Sequence, residues 1–482
     1  MIRWNNLLQI LGIFILALTA SLAVTSAFAL LTHDAGSVPL LWATFTAGSL
    51  GFLLSIIFRH PAQELTHREG IMLLVTTWVT TITLGALPFY FSDYFPGLTA
   101  AFFESASGFT TTGATILDDI EALPKSLLLW RALTHWIGGM GIIVLSIAIL
   151  PLIGTGGMAL YRAEFSGARS EKLTPRIAET ARALWKLYLV FTVMAFLALR
   201  WAGMNSFDAI CHAFSTMATG GFSTRNGSIE SFANPAIEYV IIFFMIAAGI
   251  NFTQHYRLLI EHKFKSFFRD LELRIFIFII AVATTAIAIT LSFSSSDLPH
   301  TFRVSLFQAV AILTGTGLTS FNFGIWPPFA QLILLALMFT GGCTGSTTGG
   351  LKIARIYLLF RVVGREFKRM VERRGVFSIR FDQEVITENT VQSLLNLIYL
   401  AFLINFSACM ALTAFGVDVM TAISAVAACM FNIGPGLGSV GPAENYAHLP
   451  NAVKWILSFC MLAGRLEFYT VLILFTRSFW RK

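Results

Sequence analysis

"STMATGGFST", Ser215–Thr224, interrupts a chain otherwise dominated by long apolar runs. It is too polar and too rich in glycine to continue a membrane helix, and too short to be a domain. The interruption occurs four times: "FESASGFTTTGATIL" (103–117), "CHAFSTMATGGFST" (211–224), "FQAVAILTGTGLTSF" (307–321) and "AVAACMFNIGPGLGSV" (425–440). In register, these place Thr111-Thr112-Gly113, Thr219-Gly220-Gly221, Gly315-Thr316-Gly317 and Asn432-Ile433-Gly434 at one position of a repeated unit. The final glycines lie about 100 residues apart, the period of a whole structural unit.

Each unit has the same internal order: a spanning segment, a helix starter, a short apolar run, the glycine element, an outer loop and a second spanning segment. Thr99, Ser206, Thr301 and Asp418 are N-cap residue types and predict the starts of the short helices. About three turns fit before each glycine, roughly half a bilayer at 1.5 Å per residue. Extended backbone at membrane depth is tolerated only where protein buries it or where it lines a water-filled cavity, so the four segments are expected to face one another around an axis. There, backbone carbonyls can replace the hydration shell of a cation, the glycines permit the backbone angles, and threonine hydroxyls can add oxygens at the inner end. The half-helices direct their partly negative C-terminal ends toward the pore centre.

Composition agrees with a membrane chain. Of 482 residues, 56 % are hydrophobic and 12 % charged, against about 25 % charged in a soluble domain. No soluble block is long enough for a separate catalytic domain, and no paired carboxylates or His-rich cluster suggest an enzyme. Cys211, Cys343, Cys409, Cys429 and Cys460 form no C-x-x-C pair and read as small buried hydrophobes. His135 and His212 lack partners at metal-ligand spacing and read as packing residues. The apolar run from Leu7 to Leu31 exceeds a signal-peptide core and is expected to stay as a first helix.

Ten spans are expected, near 7–30, 39–58, 70–92, 126–153, 183–203, 236–258, 274–293, 328–359, 391–415 and 452–475. Arg3, Arg59, Arg68 and the basic stretches Arg162–Lys186, Arg257–Arg274, Lys352–Arg380 and Arg477–Lys482 belong to the termini and alternate connections, which puts both termini in the cytoplasm by the positive-inside rule. The opposite face carries Asp93, Asp118, Asp119, Glu121, Asp208, Glu230, Glu238, Asp297, Asp418 and Glu444. This is either a cation-concentrating mouth or ordinary depletion of external Lys and Arg.

With these residues in hand, together with "RIAETARALW" (176–185), "GGCTGSTTGGLK" (341–352) and "AGRLEF" (463–468), the chain resembles the membrane subunits of the Trk/Ktr/HKT potassium transporter superfamily, most closely its bacterial TrkH branch. The resemblance implies an all-α integral membrane fold: two leading helices (1–69) and four helix, re-entrant loop, helix repeats (70–160, 161–265, 266–380 and 381–482) around one pore. It further implies potassium uptake across the bacterial inner membrane, a homodimer with one pore per subunit, and a cytosolic ring of TrkA-type subunits that bind NAD and ATP. No cofactor is expected on this chain itself, and no nucleic acid among its partners. The basic stretch Arg361–Arg374 fits either the regulatory partner or anionic lipid headgroups.

By the same resemblance, Gly341, Gly342, Cys343, Thr344, Gly345, Ser346, Thr347, Thr348, Gly349 and Gly350 form an intramembrane gating loop. Arg465 then lines the cavity below the filter as a barrier to cations. From the residues alone, the glycines also fit close helix packing, Arg465 also fits an ion pair with Glu467, and Lys352 fits either a second barrier charge or a side chain snorkelling to the interface. Unlike T-V-G-Y-G, each repeat shares one glycine with its counterparts, and Pro435, which lacks an N–H, follows the fourth, so a less regular filter than that of a potassium channel is expected. A proton- or sodium-coupled potassium transporter is the alternative. Such carriers usually show two inverted halves, whereas four units of one orientation indicate a four-fold axis.

Overall fold

The computed structural model describes residues 2–59, 65–148, 173–293, 297–382 and 384–481. The far end of the fourth expected span, the start of the basic stretch at Arg162 and the boundary between the first two repeats lie outside the described residues.

Two leading helices, Trp4–Leu31 and Ser37–Ile57, pack as an antiparallel pair. Their approach depends on small residues: a Cβ on Gly12 would fall 2.8 Å from the Ser55 backbone nitrogen, closer than real side chains come. Ser26 and Thr44 hydroxyls meet at 2.9 Å across the pair. Arg3 fixes the pair to the first repeat through an ion pair of 2.6 Å with Glu69, which also closes a capping box with Thr66 at the start of the next helix.

Four repeats follow. The first runs His67–Gly85, a short helix Leu98–Phe109 and Lys125–Ala148; the second runs Leu173–Trp201, Ser206–Met217 and Pro235–Gly249. The third runs Leu271–Ser292, Leu298–Leu313 and Pro328–Thr340; the fourth runs Glu388–Ala414, Val419–Met430 and Asn451–Arg465. The last helix of three repeats stops after 13 to 15 residues. In the second and fourth the chain turns by 101° and 111° into Phe252–Leu259 and Tyr469–Phe475. The sixth and tenth segments, expected as single spans, are therefore bent. In the third repeat the same break widens into Gly341–Lys352 before the amphipathic helix Ile353–Val371, so the eighth expected span is two helices joined by a loop. A small antiparallel hairpin, Ile379–Phe381 with Glu384–Ile386, follows it.

The short helices form the centre. Apart from the outer ends of their first turns they are almost completely buried, lined by Ala, Ser, Phe and Met, as expected of helices that are apolar all round. Their caps differ from the sequence expectation in three of four cases. Asp418 caps as expected, but Asn205 replaces Ser206 and Asp297 replaces Thr301, each accepting a backbone N–H, while the first helix starts at Gly97 without a side-chain cap. Asn205 stands one residue before Ser206 and is an equally good cap, whereas Asp297 stands four residues before Thr301 and is the stronger one.

Candidate functional site

Each short helix ends in the same way. In the first repeat, the Thr111 N–H donates to the Gly108 carbonyl (3.0 Å) and the Thr112 N–H to Ser107 (2.8 Å). The pairs recur at Thr219 and Gly220, at Gly315 and Thr316, and at Asn432 and Ile433, with the second bond 2.8 to 2.9 Å long. This is the Schellman closure of a helix C-terminus, whose turning residue is left-handed and usually Gly or Asn. Here φ is 53° at Thr111, 53° at Thr219, 66° at Gly315 and 55° at Asn432. Two β-branched threonines in this region carry local strain of about 1–3 kcal/mol each. Two residues on, φ is positive again at Gly113 (82°), Gly221 (90°), Gly317 (67°) and Gly434 (100°).

The four segments close a ring. A Cβ built on Gly113 would overlap the Gly220 carbonyl oxygen, one on Gly221 that of Thr316, one on Gly317 that of Ile433, and one on Gly434 that of Thr112, each within 3.0 Å. Every glycine therefore stands against the carbonyl of the next repeat, in cyclic order. On the outer side, Gly113, Gly221, Gly317 and Gly434 all line one cavity of ≈ 150 Å³.

The hydroxyls behave less uniformly than expected. Thr112 and Thr316 are bridged by Thr110 and Thr314 at 2.8 Å, Thr219 donates to the Ala218 carbonyl at 2.7 Å, and the Asn432 amide donates to Thr112 Oγ1 at 2.9 Å. Thr111 Oγ1 has no partner. The threonine hydroxyls, read from the sequence as extra oxygen ligands, are thus engaged mainly within their own segments, while the Asn432–Thr112 bond joins the fourth segment to the first.

Behind the ring lies a buried ion pair that sequence reasoning missed. Arg131, 1 % exposed, meets Glu104, fully buried, at 2.8 Å. Glu104 also accepts from Thr115 Oγ1 (3.0 Å) and the Ile116 N–H (3.1 Å), while Arg131 Nη1 donates to the Ser223 carbonyl (3.2 Å). The guanidinium sits 4.0 Å from the centre of the Phe222 ring, which stacks on His135. The pair thus braces the first and second segments from behind. The available sign was one acid and one base inside apolar segments, where charges are rare and paired.

Below the ring, the Gly341–Lys352 loop crosses the space between repeats. A Cβ on Gly349 would overlap the Phe431 carbonyl oxygen, and Thr347 Oγ1 donates to the Met217 carbonyl at 3.2 Å. Arg465 donates to the carbonyls of Thr347 (2.9 Å) and Gly138 (3.5 Å), and its Nε has no partner. Its expected alternative partner, Glu467, instead pairs with Arg355 at 2.7 Å. Lys352 folds back onto the Thr348 carbonyl and hydroxyl rather than reaching outward. Glu272 holds both ends of the loop, accepting from the Thr344 N–H (2.7 Å), the Thr344 hydroxyl (2.9 Å) and the Ala354 N–H (3.2 Å).

The last helix of the fourth repeat packs on its short helix through Gly464, where a Cβ would overlap the Met430 carbonyl oxygen. Gly464→Ala is expected to lower stability by about 1–3 kcal/mol through overpacking. Gly364→Ala, where a Cβ meets nothing within 4 Å, should be neutral or stabilising; thermal unfolding in detergent compares the two.

The outer acidic residues are largely engaged. Arg225 pairs with Glu121 and Asp208, both at 3.1 Å, and Arg303 with Glu238 at 2.9 Å. Asn226 donates to Asp119, holding its carboxyl below the usual carboxylate range, and Asn445 donates to Asp118. Asp297 and Asp418 are spent on helix caps. His212 bonds Ser223 Oγ (3.0 Å) and the Asp208 carbonyl (2.7 Å), a structural role. All five cysteines are free thiols, and no cluster of metal-ligating side chains occurs among the described residues.

This geometry has close counterparts. A TrkH potassium uptake protein of Escherichia coli K12 is 41 % identical over the whole of both chains, and one of Vibrio parahaemolyticus is 40 % identical over 99 % of this chain and all of the relative. The crystal structure of the potassium transporter TrkH from Vibrio parahaemolyticus superposes with a TM-score of 0.92 at 37 % identity, covering both chains fully. The TrkH family, described as cation transport proteins, matches residues 40–482. Matched along its length by these relatives and by the family's own model, the chain belongs to the TrkH family, a family of membrane transporters rather than enzymes.

Proposed function

We propose that the chain takes up potassium across the bacterial inner membrane through a gated, channel-like pore. The observation that supports this most is the closed ring in which each glycine abuts the next repeat's carbonyl. Alternating positive φ along each segment turns successive carbonyls to one side, and such oxygens can take the place of a cation's water. The filter in this reading is Thr111–Gly113, Thr219–Gly221, Gly315–Gly317 and Asn432–Gly434.

The Gly341–Gly350 loop is the gate in this reading, and Arg465, with Lys352 beside it, the electrostatic barrier under the filter. The breaks that end three inner helices leave room there for a loop. The chain works as a homodimer, both termini in the cytoplasm, under TrkA-type subunits that bind NAD and ATP; the amphipathic Ile353–Val371 helix, continuous with the loop, provides a mechanical link to them.

The test is ion flux in liposomes carrying the purified chain, beside Gly221→Ser. Passive, voltage-following potassium flux is expected, with the variant losing its preference over sodium by about tenfold or more, since the added side chain meets the Thr316 carbonyl. Flux that requires a proton or sodium gradient and ignores the substitution would instead establish a coupled carrier.

A further inference from the structure

The fourth filter segment is held differently from the other three. Tyr446, in the outer loop of the fourth repeat, donates its hydroxyl to the Gly434 carbonyl at 2.8 Å. Among the described residues, the carbonyls of Gly113, Gly221 and Gly317 accept no side-chain hydrogen bond. The peptide concerned is also unusual, because Pro435 supplies its nitrogen and has no N–H. The carbonyl is therefore the only polar group of that peptide the protein can grip.

The tyrosine is itself rigidly placed. Its ring is 2 % exposed and packs on Phe103 of the first short helix, with centroids 5.5 Å apart. Its N–H donates to the Thr115 carbonyl of the first repeat at 2.9 Å, and the neighbouring Asn445 holds Asp118 and the Leu117 carbonyl. The hydroxyl thus reaches the fourth segment from a scaffold anchored in the first.

We propose that Tyr446 is a specificity-determining positioning residue: its hydroxyl fixes the outermost carbonyl of the fourth segment so that the ring cannot contract around a smaller cation. This rests on the filter reading above. A carbonyl oxygen has two lone pairs, so the tether leaves one free toward the axis. Without it, the Gly434 carbonyl can follow a sodium ion inward, and the selectivity it supported is lost.

Tyr446→Phe keeps the ring and removes the tether. In liposomes under opposed potassium and sodium gradients, the permeability ratio read from the reversal potential should fall about fivefold, the effect of one neutral hydrogen bond. An unchanged or increased ratio overturns the proposal. If the variant carries too little current, thermal stabilisation of the purified protein by potassium against sodium gives the same comparison: a narrowed difference supports the tether, an unaltered one removes it. Gly221→Ser separates the two readings. If it shifts the ratio and Tyr446→Phe does not, the filter stands and the tether falls; if neither does, both fall.

Discussion

Arg131→Met is expected to destabilise the protein by roughly 3–5 kcal/mol, because removing one member of a buried ion pair leaves the other charged and unsolvated. Glu104 is fully buried and faces the guanidinium at 2.8 Å; in the variant only Thr115 and the Ile116 N–H remain to solvate it. The substitution also removes the donor to the Ser223 carbonyl and the cation over Phe222, so the second glycine segment, part of the proposed filter, loses its support from behind. Thermal unfolding in detergent should show the loss, and selectivity should decline with it. The double variant Arg131→Met, Glu104→Gln, which removes both charges of the pair, should recover a large part of the stability but not the selectivity. Recovery of both would mean that the pair contributes only charge balance.

Glu272→Gln should raise passive flux about tenfold. Three donors from the two ends of the intramembrane loop converge on one carboxylate, and a hydrogen bond to a charged group contributes about 1.5–3 kcal/mol. All three donors meet Oε1, so the amide oxygen of glutamine can still accept them, and neutralising the acceptor weakens each bond from charge-assisted to neutral. Even 1.4 kcal/mol lost from the closed arrangement alone changes its population ratio by about tenfold. The check is flux together with thiol-reagent access to Thr347→Cys from the cytoplasmic side, and both should rise. Lower flux with normal folding would mean that the carboxylate supports the conducting arrangement instead.

The periodic parts of the site were legible because they answer to local backbone demands. A residue that must turn left-handed at the end of a helix, followed two positions later by another, leaves a Gly or Asn signature, which Gly315 with Gly317 and Asn432 with Gly434 carry in full and the first two repeats carry at Gly113 and Gly221 alone. What was not legible depends on distant partners. Arg465 and Glu467 are neighbours in sequence, yet Glu467 pairs with Arg355, while Arg465 turns to backbone oxygens of the first and third repeats. Tyr446 gave no sign of its hydrogen bond to Gly434 because nothing local distinguishes a tyrosine that only packs from one whose hydroxyl holds a distant backbone carbonyl. The bend after Gly249 could have been found: Asn251 accepts from the Thr253 N–H as a helix cap, and Gly-Ile-Asn is a fair marker of a stop followed by a new start.

The four unequal quarters have a genetic consequence. In a pore built from four identical subunits, one codon change enters four times and must suit every position at once. Here each quarter is encoded separately, so a substitution enters once per pore. The third quarter carries the twelve-residue interruption from Gly341 to Lys352, the fourth carries Arg465, and the first carries Glu104, without any of these being copied into the others. Separately encoded quarters can thus hold a glycine-rich loop, a fixed charge and a brace one at a time, while the shared glycines, each pressed against the next quarter, are kept in common.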